Sequence, residues 1–401
     1  MHDDTKLAHA GREHGDERRH HGVVNTPVYH ASTVTYPNLA AMKASQATPD
    51  QGVFYGRMGT PTTFAFQDAM AALEGSGGKT LAVPSGLAAC TTALLATCKA
   101  GDHALIVDTV YAPVRRFCEG MLKDLGVTVT YFAPHADIRP LLQPNTKAVY
   151  LEAPGSMTFE MQDVPALAKI ARAHGAIIMI DNTWATPLYF KPLAHGVDIS
   201  IHSVTKYIGG HSDLLMGTVT AAEPVFTRLR ETAWNLGLYV SPDDCYLALR
   251  GLRTLSARMA RHQQTGLRLA NWLRSRPAVQ RVIHPALPGD PGHLLWQRDF
   301  TGAPGLFAFV LQPGPDAALA AMLDHMKLFA LGYSWGGFES LIVPFTPGYS
   351  RSATQWTETG ALVRISAGLE DAGDLIADLE AGLARFTGAL AAAPATAQPR
   401  R

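Results

Sequence analysis

Three short stretches carry residue types that could do chemistry together. The first is Ser203-Val-Thr-Lys206, followed closely by Gly209-Gly210. A lysine forms a Schiff base with a carbonyl only when its amine is neutral, which requires a partly desolvated pocket near other cations. The hydroxyls of Ser203 and Thr205 are spaced to bond phosphate oxygens. The second is Asp181, directly after the apolar run Ala176-Ile-Ile-Met-Ile180. A carboxylate at the end of a buried strand needs a partner, because burying an unpaired charge is costly. A protonated pyridine nitrogen would serve, and so would a helix start or a basic side chain. The third is Ser85-Gly86-Leu87, after an apolar run ending at Val83. Backbone N–H groups at a helix start bind anions, and glycine lets a phosphate come close. Taken singly, these stretches read equally as a surface lysine, a capping aspartate and a tight turn. Taken in order, they describe one site.

Competing motifs fail. Gly77-Gly78-Lys79-Thr80 lacks the first glycine of a P-loop, which falls on Leu73, and it precedes a strand rather than following one. Ser203-Val-Thr-Lys206 matches S-x-x-K, but no S-D-N or K-T-G accompanies it.

The elements that must position these residues follow from apolar spacing. Strands are expected at 80–83, 103–107, 147–152, 176–180 and 197–200, with a helix over 86–99. Asp163, with Pro165 in the first turn, opens another helix, and Gly175 closes it. Strand, helix, strand at this spacing predicts a doubly wound, mostly parallel α/β sheet, whose ligands bind beyond the strands' carboxyl ends. That domain spans 57–252. Residues 1–56, rich in His, Arg, Asp and Pro, read as a tail or an arm onto a neighbouring subunit. From 253 a helix to 275, then mixed strand and helix through Gly305-Leu-Phe-Ala-Phe-Val310, predicts a smaller C-terminal α+β domain. The Ala/Pro-rich stretch 389–401 is expected to be disordered.

The chain's 401 residues carry 34 basic and 34 acidic side chains, so no global charge draws it to nucleic acid or anionic membrane. Local basic pairs such as Arg115-Arg116 read as solvated. Four cysteines without a CxxC pair make neither a zinc site nor a disulfide scaffold. His20-His21 lacks a surrounding ligand set, so no metal is expected. The charged start Met1-His2-Asp3-Asp4 is unlike a signal peptide, and no apolar run reaches membrane-span length. A cytoplasmic protein is expected.

With these residues in view, the sequence resembles the Cys/Met-metabolism enzymes of pyridoxal-phosphate fold type I. The resemblance runs from about Lys6 to Phe386. It is carried by Phe54-Tyr-Gly-Arg57, Leu151-Glu-Ala-Pro-Gly-Ser-Met157, Ile180-Asp-Asn-Thr-Trp-Ala185, Thr205-Lys-Tyr207, Gly210-His-Ser-Asp213, Tyr333-Ser-Trp-Gly-Gly337 and Arg364 with 365–369. It implies a fold type I architecture: a mostly parallel seven-stranded-type sheet domain and a smaller C-terminal α+β domain. It implies pyridoxal 5′-phosphate as cofactor, Lys206 as its Schiff-base lysine and Asp181 as partner of its ring nitrogen. Tyr111 would stack on the cofactor ring and assist Lys206 as base. Gly86, Leu87, Ser203 and Thr205 would hold the phosphate, joined by Tyr55 and Arg57 from a neighbouring subunit. Arg364, Ser334, Trp335 and Tyr111 would hold the substrate.

Within the family, Glu152-Ala-Pro-Gly-Ser and Ser334-Trp335-Gly336-Gly337 look like the β-cleaving branch, since γ-acting relatives usually carry Pro-Thr-Asn-Pro and Ser-Leu-Gly-Gly there. The implied reaction splits the thioether cystathionine into homocysteine, pyruvate and ammonia. The implied assembly is a homo-oligomer, a tetramer built as a dimer of dimers. The alternatives are a γ-acting relative, or a regulator that has kept the fold; intact Lys206, Asp181, Tyr111 and Arg364 argue against the regulator.

Overall fold

The computed structural model describes residues 1–12, 19–48 and 52–392. Seven strands form the larger sheet: β1 (Lys79–Val83), β2 (His103–Val107), β3 (Thr128–Phe132), β4 (Thr146–Glu152), β5 (Ile177–Asp181), β6 (Ile199–Ser203) and β7 (Gly217–Ala221). Their order is β1-β7-β6-β5-β4-β2-β3. The pairs β2–β3, β2–β4, β4–β5 and β5–β6 are parallel, whereas β7 runs antiparallel to both β1 and β6. The sheet is therefore mixed, with the parallel strands in the majority as expected. Every residue of β2 is buried, because helices cover both faces of a crossover sheet.

Local boundaries differ from the sequence reading by a residue or two in several elements, and two of these bear on the site. The strand ahead of Lys206 is Ile199–Ser203, not 197–200, because its pairing with β5 and β7 sets its register. The helix expected over 86–99 ends at Thr97, where Cys98 turns extended. Asp163 does cap its helix, accepting from the Ala166 amide at 3.2 Å, and Gly175 closes that helix in a left-handed conformation.

The second sheet holds β8 (Val279–Ile283), β9 (Leu306–Leu311), β10 (Ala330–Leu331), β11 (Leu341–Phe345) and β12 (Leu362–Ser366), in the order β10-β11-β12-β9-β8. Helices Leu255–Arg274 and Ala372–Ala392 cover it with a core of their own, which includes Leu269, Phe307, Ile365 and Leu379. The protein thus has a large mixed-sheet domain and a smaller α+β domain. The last helix continues through 389–392, which were expected to be disordered. Its Ala-rich composition is strongly helix-forming, and 393–401 lie outside the described residues.

Near the N-terminus, helix Asp3–Ala8 buries Leu7 in a cluster with Phe66, Met70 and Leu249. Helix Leu39–Ala47 buries none of its residues, although Asn38 caps it through the Ala41 amide. Among the described residues, no helix is long and apolar enough to cross a membrane.

Candidate active site

The carboxyl ends of β1, β2, β4, β5 and β6 point the same way, and a cavity of about 490 Å³ opens beyond them. Ser85, Gly86, Tyr111, Glu152, Asp181 and Lys206 line it from the large domain; Ser334, Trp335 and Arg364 line it from the small one. The cavity therefore lies where the two domains meet.

Helix Gly86–Thr97 starts at the cavity. Ser85 caps it by accepting from the Ala88 amide at 3.0 Å, which leaves the first-turn N–H groups of Gly86 and Leu87 free of helical partners. A Cβ at Gly86 would stand 2.6 Å from the Ser203 side chain, so only glycine lets this turn and β6 meet. Thr205 fastens its loop to Met216: the Thr205 hydroxyl donates to the Met216 carbonyl at 3.2 Å and accepts from the Met216 amide at 3.0 Å. The helix start, Ser203 and Thr205 all line the cavity; the free N–H groups and Ser203 fit an anion, whereas the Thr205 hydroxyl proton is directed to the Met216 carbonyl.

Asp181 ends β5. Its Oδ1 accepts from the Thr183 amide at 3.0 Å and from the Thr183 hydroxyl at 2.5 Å. Thr183 Oγ1 also accepts from the Ser203 amide at 2.8 Å, tying the aspartate to the phosphate end. Among the described residues Asp181 forms no ion pair. Burial raises its pKa, only partly offset by the Thr183 bonds and by the charges of His202 and Lys206. Such a carboxylate calls for a cation in the cavity, and a protonated ring nitrogen is one.

Lys206 Nζ donates to Ser334 Oγ at 2.5 Å and lies 5.3 Å from the Trp335 ring centroid. Burial and the nearby Arg364 charge lower its pKa from 10.5 to about 8, against an opposing pull from Asp181. Ser334 sits at φ 82°, a conformation that serine rarely adopts, and Gly336 follows at φ 84°. A Cβ at Gly336 would come within 2.8 Å of the Tyr207 amide, so this turn lies directly on the lysine loop. Arg364, on β12, donates to the Ser334 carbonyl at 3.0 Å and touches Met157 Sδ at 3.3 Å. Burial draws its pKa down to about 10, still far above neutrality, so it stays cationic.

The structure thus brings together Lys206, Asp181, Tyr111, Gly86, Leu87, Ser203, Thr205, Ser334, Trp335 and Arg364. It does not bring Tyr55 and Arg57 to that cavity. Arg57 instead donates to the Trp234 carbonyl at 3.0 Å and lines a separate small recess, and Tyr55 is largely exposed.

Several residues of the site were not singled out from sequence. Glu152 accepts from the Tyr111 amide at 2.7 Å and so sets where that ring stands. Burial and the neighbouring Asp181 push the Glu152 pKa well up. Arg115 is not solvated: its Nη2 lies 2.5 Å from Asp108 Oδ1, and its guanidinium stacks 3.6 Å over Tyr131. Asp108 also receives the amides of Ser352 and Thr354, at 2.9 and 2.8 Å, from the small domain's 346–361 loop. Thr183 and Glu152 carried a signal, since both lie in stretches that carry the family resemblance.

A cavity holding an anion cradle, an uncompensated carboxylate and a lysine of lowered pKa, in that chain order, is what the family resemblance requires. A family model described as Cys/Met metabolism PLP-dependent enzyme matches residues 4–384. The chain belongs to that family. A Rhizobium johnstonii protein, provisionally named a cystathionine β-lyase, is 52% identical over 386 residues, covering 95% of each chain. The cystathionine β-lyase of Escherichia coli is 46% identical over 392 residues, covering 96% of this chain and 98% of the other. A solved structure of cystathionine γ-synthase from Xanthomonas oryzae superposes with a TM-score of 0.87 at 31% identity, covering 97% of this chain and all of that one. The protein is a fold type I pyridoxal-phosphate enzyme with carbon–sulfur lyase activity on a small amino-acid substrate.

Proposed function

We propose that this family member cleaves the Cβ–S bond of L-cystathionine, giving homocysteine, pyruvate and ammonia, as a step toward methionine. The observation that carries the reading is the wall beside the base: Trp335 lines the cavity with its ring centroid 5.3 Å from Lys206 Nζ, at the position where γ-acting relatives usually carry leucine. The two relatives described above bear the same activity in their names.

Lys206, Asp181, Tyr111 and the cradle of Gly86, Leu87, Ser203 and Thr205 would hold the cofactor. Bound there, pyridoxal phosphate delocalises the electron pair left when Cα loses its proton. Asp181 would keep the ring nitrogen protonated by pairing its buried carboxylate with that N–H, a cation its burial calls for. Lys206 Nζ takes the Cα proton and hands a proton to the departing sulfur, and a pKa of about 8 suits an amine that must do both near neutrality. Ser334 aims that amine through the 2.5 Å bond. Arg364 takes the substrate α-carboxylate in a two-oxygen fork. Tyr111, whose pKa burial raises, would stack on the cofactor ring and assist Lys206 as base.

We further propose that Tyr55 and Arg57 complete the phosphate site of a neighbouring subunit, which fits their distance from their own chain's cavity. The working assembly is a dimer of dimers, in the cytoplasm, where the four free cysteines stay reduced.

A γ-acting reading has its own support in the Xanthomonas oryzae γ-synthase structure, and the solved-structure comparison favours it. Incubation of the purified holoenzyme with L-cystathionine separates the two. Pyruvate is expected; 2-oxobutyrate as the sole keto acid would establish the γ-acting alternative.

A further inference from the structure

Cystathionine carries an amino-acid head at each end, and Arg364 accounts for only one carboxylate. The cavity wall holds two more arginines, Arg116 and Arg351. Arg116 is exposed on the helix that follows Tyr111. Arg351 is different: its side chain is only 6% exposed, yet it lines the cavity.

Arg351 is also rigidly held. Its Nη1 donates to Glu160 Oε1 at 3.0 Å and to Thr354 Oγ1 at 3.3 Å, and its Nη2 donates to Thr158 Oγ1. Arg364 touches Met157, so the two guanidiniums are seated on adjacent residues of one segment, 157–158. They line one cavity from neighbouring positions, which gives a substrate with two carboxylates a second cation to meet. The bonds to Glu160, Thr158 and Thr354 fix the guanidinium plane before ligand arrives, so little rotamer entropy remains to be lost.

Arg351 is not needed merely to fasten its loop. The neighbouring Ser352 and Thr354 already deliver two amides and two hydroxyls to the buried carboxylate of Asp108. That clamp crosses from the small domain to the large one. Arg351 is thereby held at the cavity by a joint that exists only when the two domains are together.

We infer that Arg351 is a specificity-determining residue that receives the carboxylate on the leaving-group end of the thioether substrate. The inference rests on the lyase reading above and deepens it. It makes Arg351 neutral for chemistry at Cα and important for which thioether is chosen. A thioether lacking the far carboxylate would leave Arg351 with Glu160 as its anionic partner and forgo the added contact to the substrate.

The test uses the holoenzyme and two substrates with the same reacting end: L-cystathionine and S-butyl-L-cysteine, which has no far carboxylate. In Arg351→Gln, kcat/KM for cystathionine should fall about 10- to 100-fold, the range for losing a charged hydrogen bond. The value for S-butyl-L-cysteine should stay within about twofold, and that unchanged value also reports intact folding. Arg351→Lys should restore part of the preference. Equal losses on both substrates would mean that Arg351 only fastens its loop, and would overturn the inference. So would a preference that survives in Arg351→Gln but is lost in Arg116→Ala. The keto acid released by the wild-type enzyme tests the lyase reading separately, because it reports which bond breaks whatever the preference.

Discussion

The lowered pKa of Lys206 leads to a prediction whose sign is fixed by the structure. Burial and the Arg364 charge bring that pKa from 10.5 to about 8, while Asp181 pulls the other way. At pH 7 the neutral fraction is then about one in ten, about 300-fold more than for an ordinary lysine. Only the neutral amine can take up the cofactor aldehyde. In cofactor-free protein, the rate of pyridoxal-phosphate uptake should therefore rise with pH and level off above about 8. Arg364→Gln removes one depressing charge and leaves the burial, so its midpoint should move upward, between 8 and 10.5. Asp181→Asn removes the opposing charge, so its midpoint should move below 8. Stopped-flow absorbance across pH 6 to 10.5 would measure all three proteins. Folding stability should follow the same group. From about pH 8 to 10.5 the unfolded chain holds more protons than the folded one, so this lysine's contribution makes stability rise with pH there. Below pH 8 its penalty is at full strength, with a ceiling of about 3 kcal/mol that solvent at the cavity mouth reduces. A midpoint near 10.5 in the wild type, or shifts of the wrong sign in the two variants, would refute this account of the site.

Two further outcomes test the site. Asp181→Asn should keep much of its cofactor but lose about 100- to 1000-fold in kcat, because an amide holds a ring proton poorly; wild-type turnover would end the assignment. Arg57→Ala and Lys206→Ala should each be inactive alone, yet recover about a quarter of wild-type activity after equal mixing and subunit exchange, since a mixed dimer carries one site with neither defect; no recovery despite demonstrated exchange would show that each site is built from one chain.

What the sequence disclosed and what it withheld divide along a physical line. Strands such as His103–Val107 and the run up to Asp181 were legible because a strand covered on both faces is apolar throughout. Lys206, Asp181 and the turn at Gly86 were legible because each follows such a strand, and the sheet's topology sends all those ends to one side. By contrast, β7 is only Gly217–Ala221, a five-residue segment with two threonines. Nothing local in it signals that it slots antiparallel between β1 and β6. The tail around 389–392 was misjudged for a related reason: alanine next to proline looks featureless, but the preceding helix simply continues through it. The hardest features were those that join distant parts of the chain. Asp108 and Ser352 are separated by 244 positions and meet only because the small domain folds back over the large one. Arg115 looked like half of a basic surface pair until Asp108 and Tyr131 took it inside. The same joint holds Arg351 at the cavity. Local spacing could thus point to the residues proposed to hold the cofactor, most of which follow strand ends of one sheet. It could not reveal the residue proposed to choose the substrate, whose place depends on how the two domains meet.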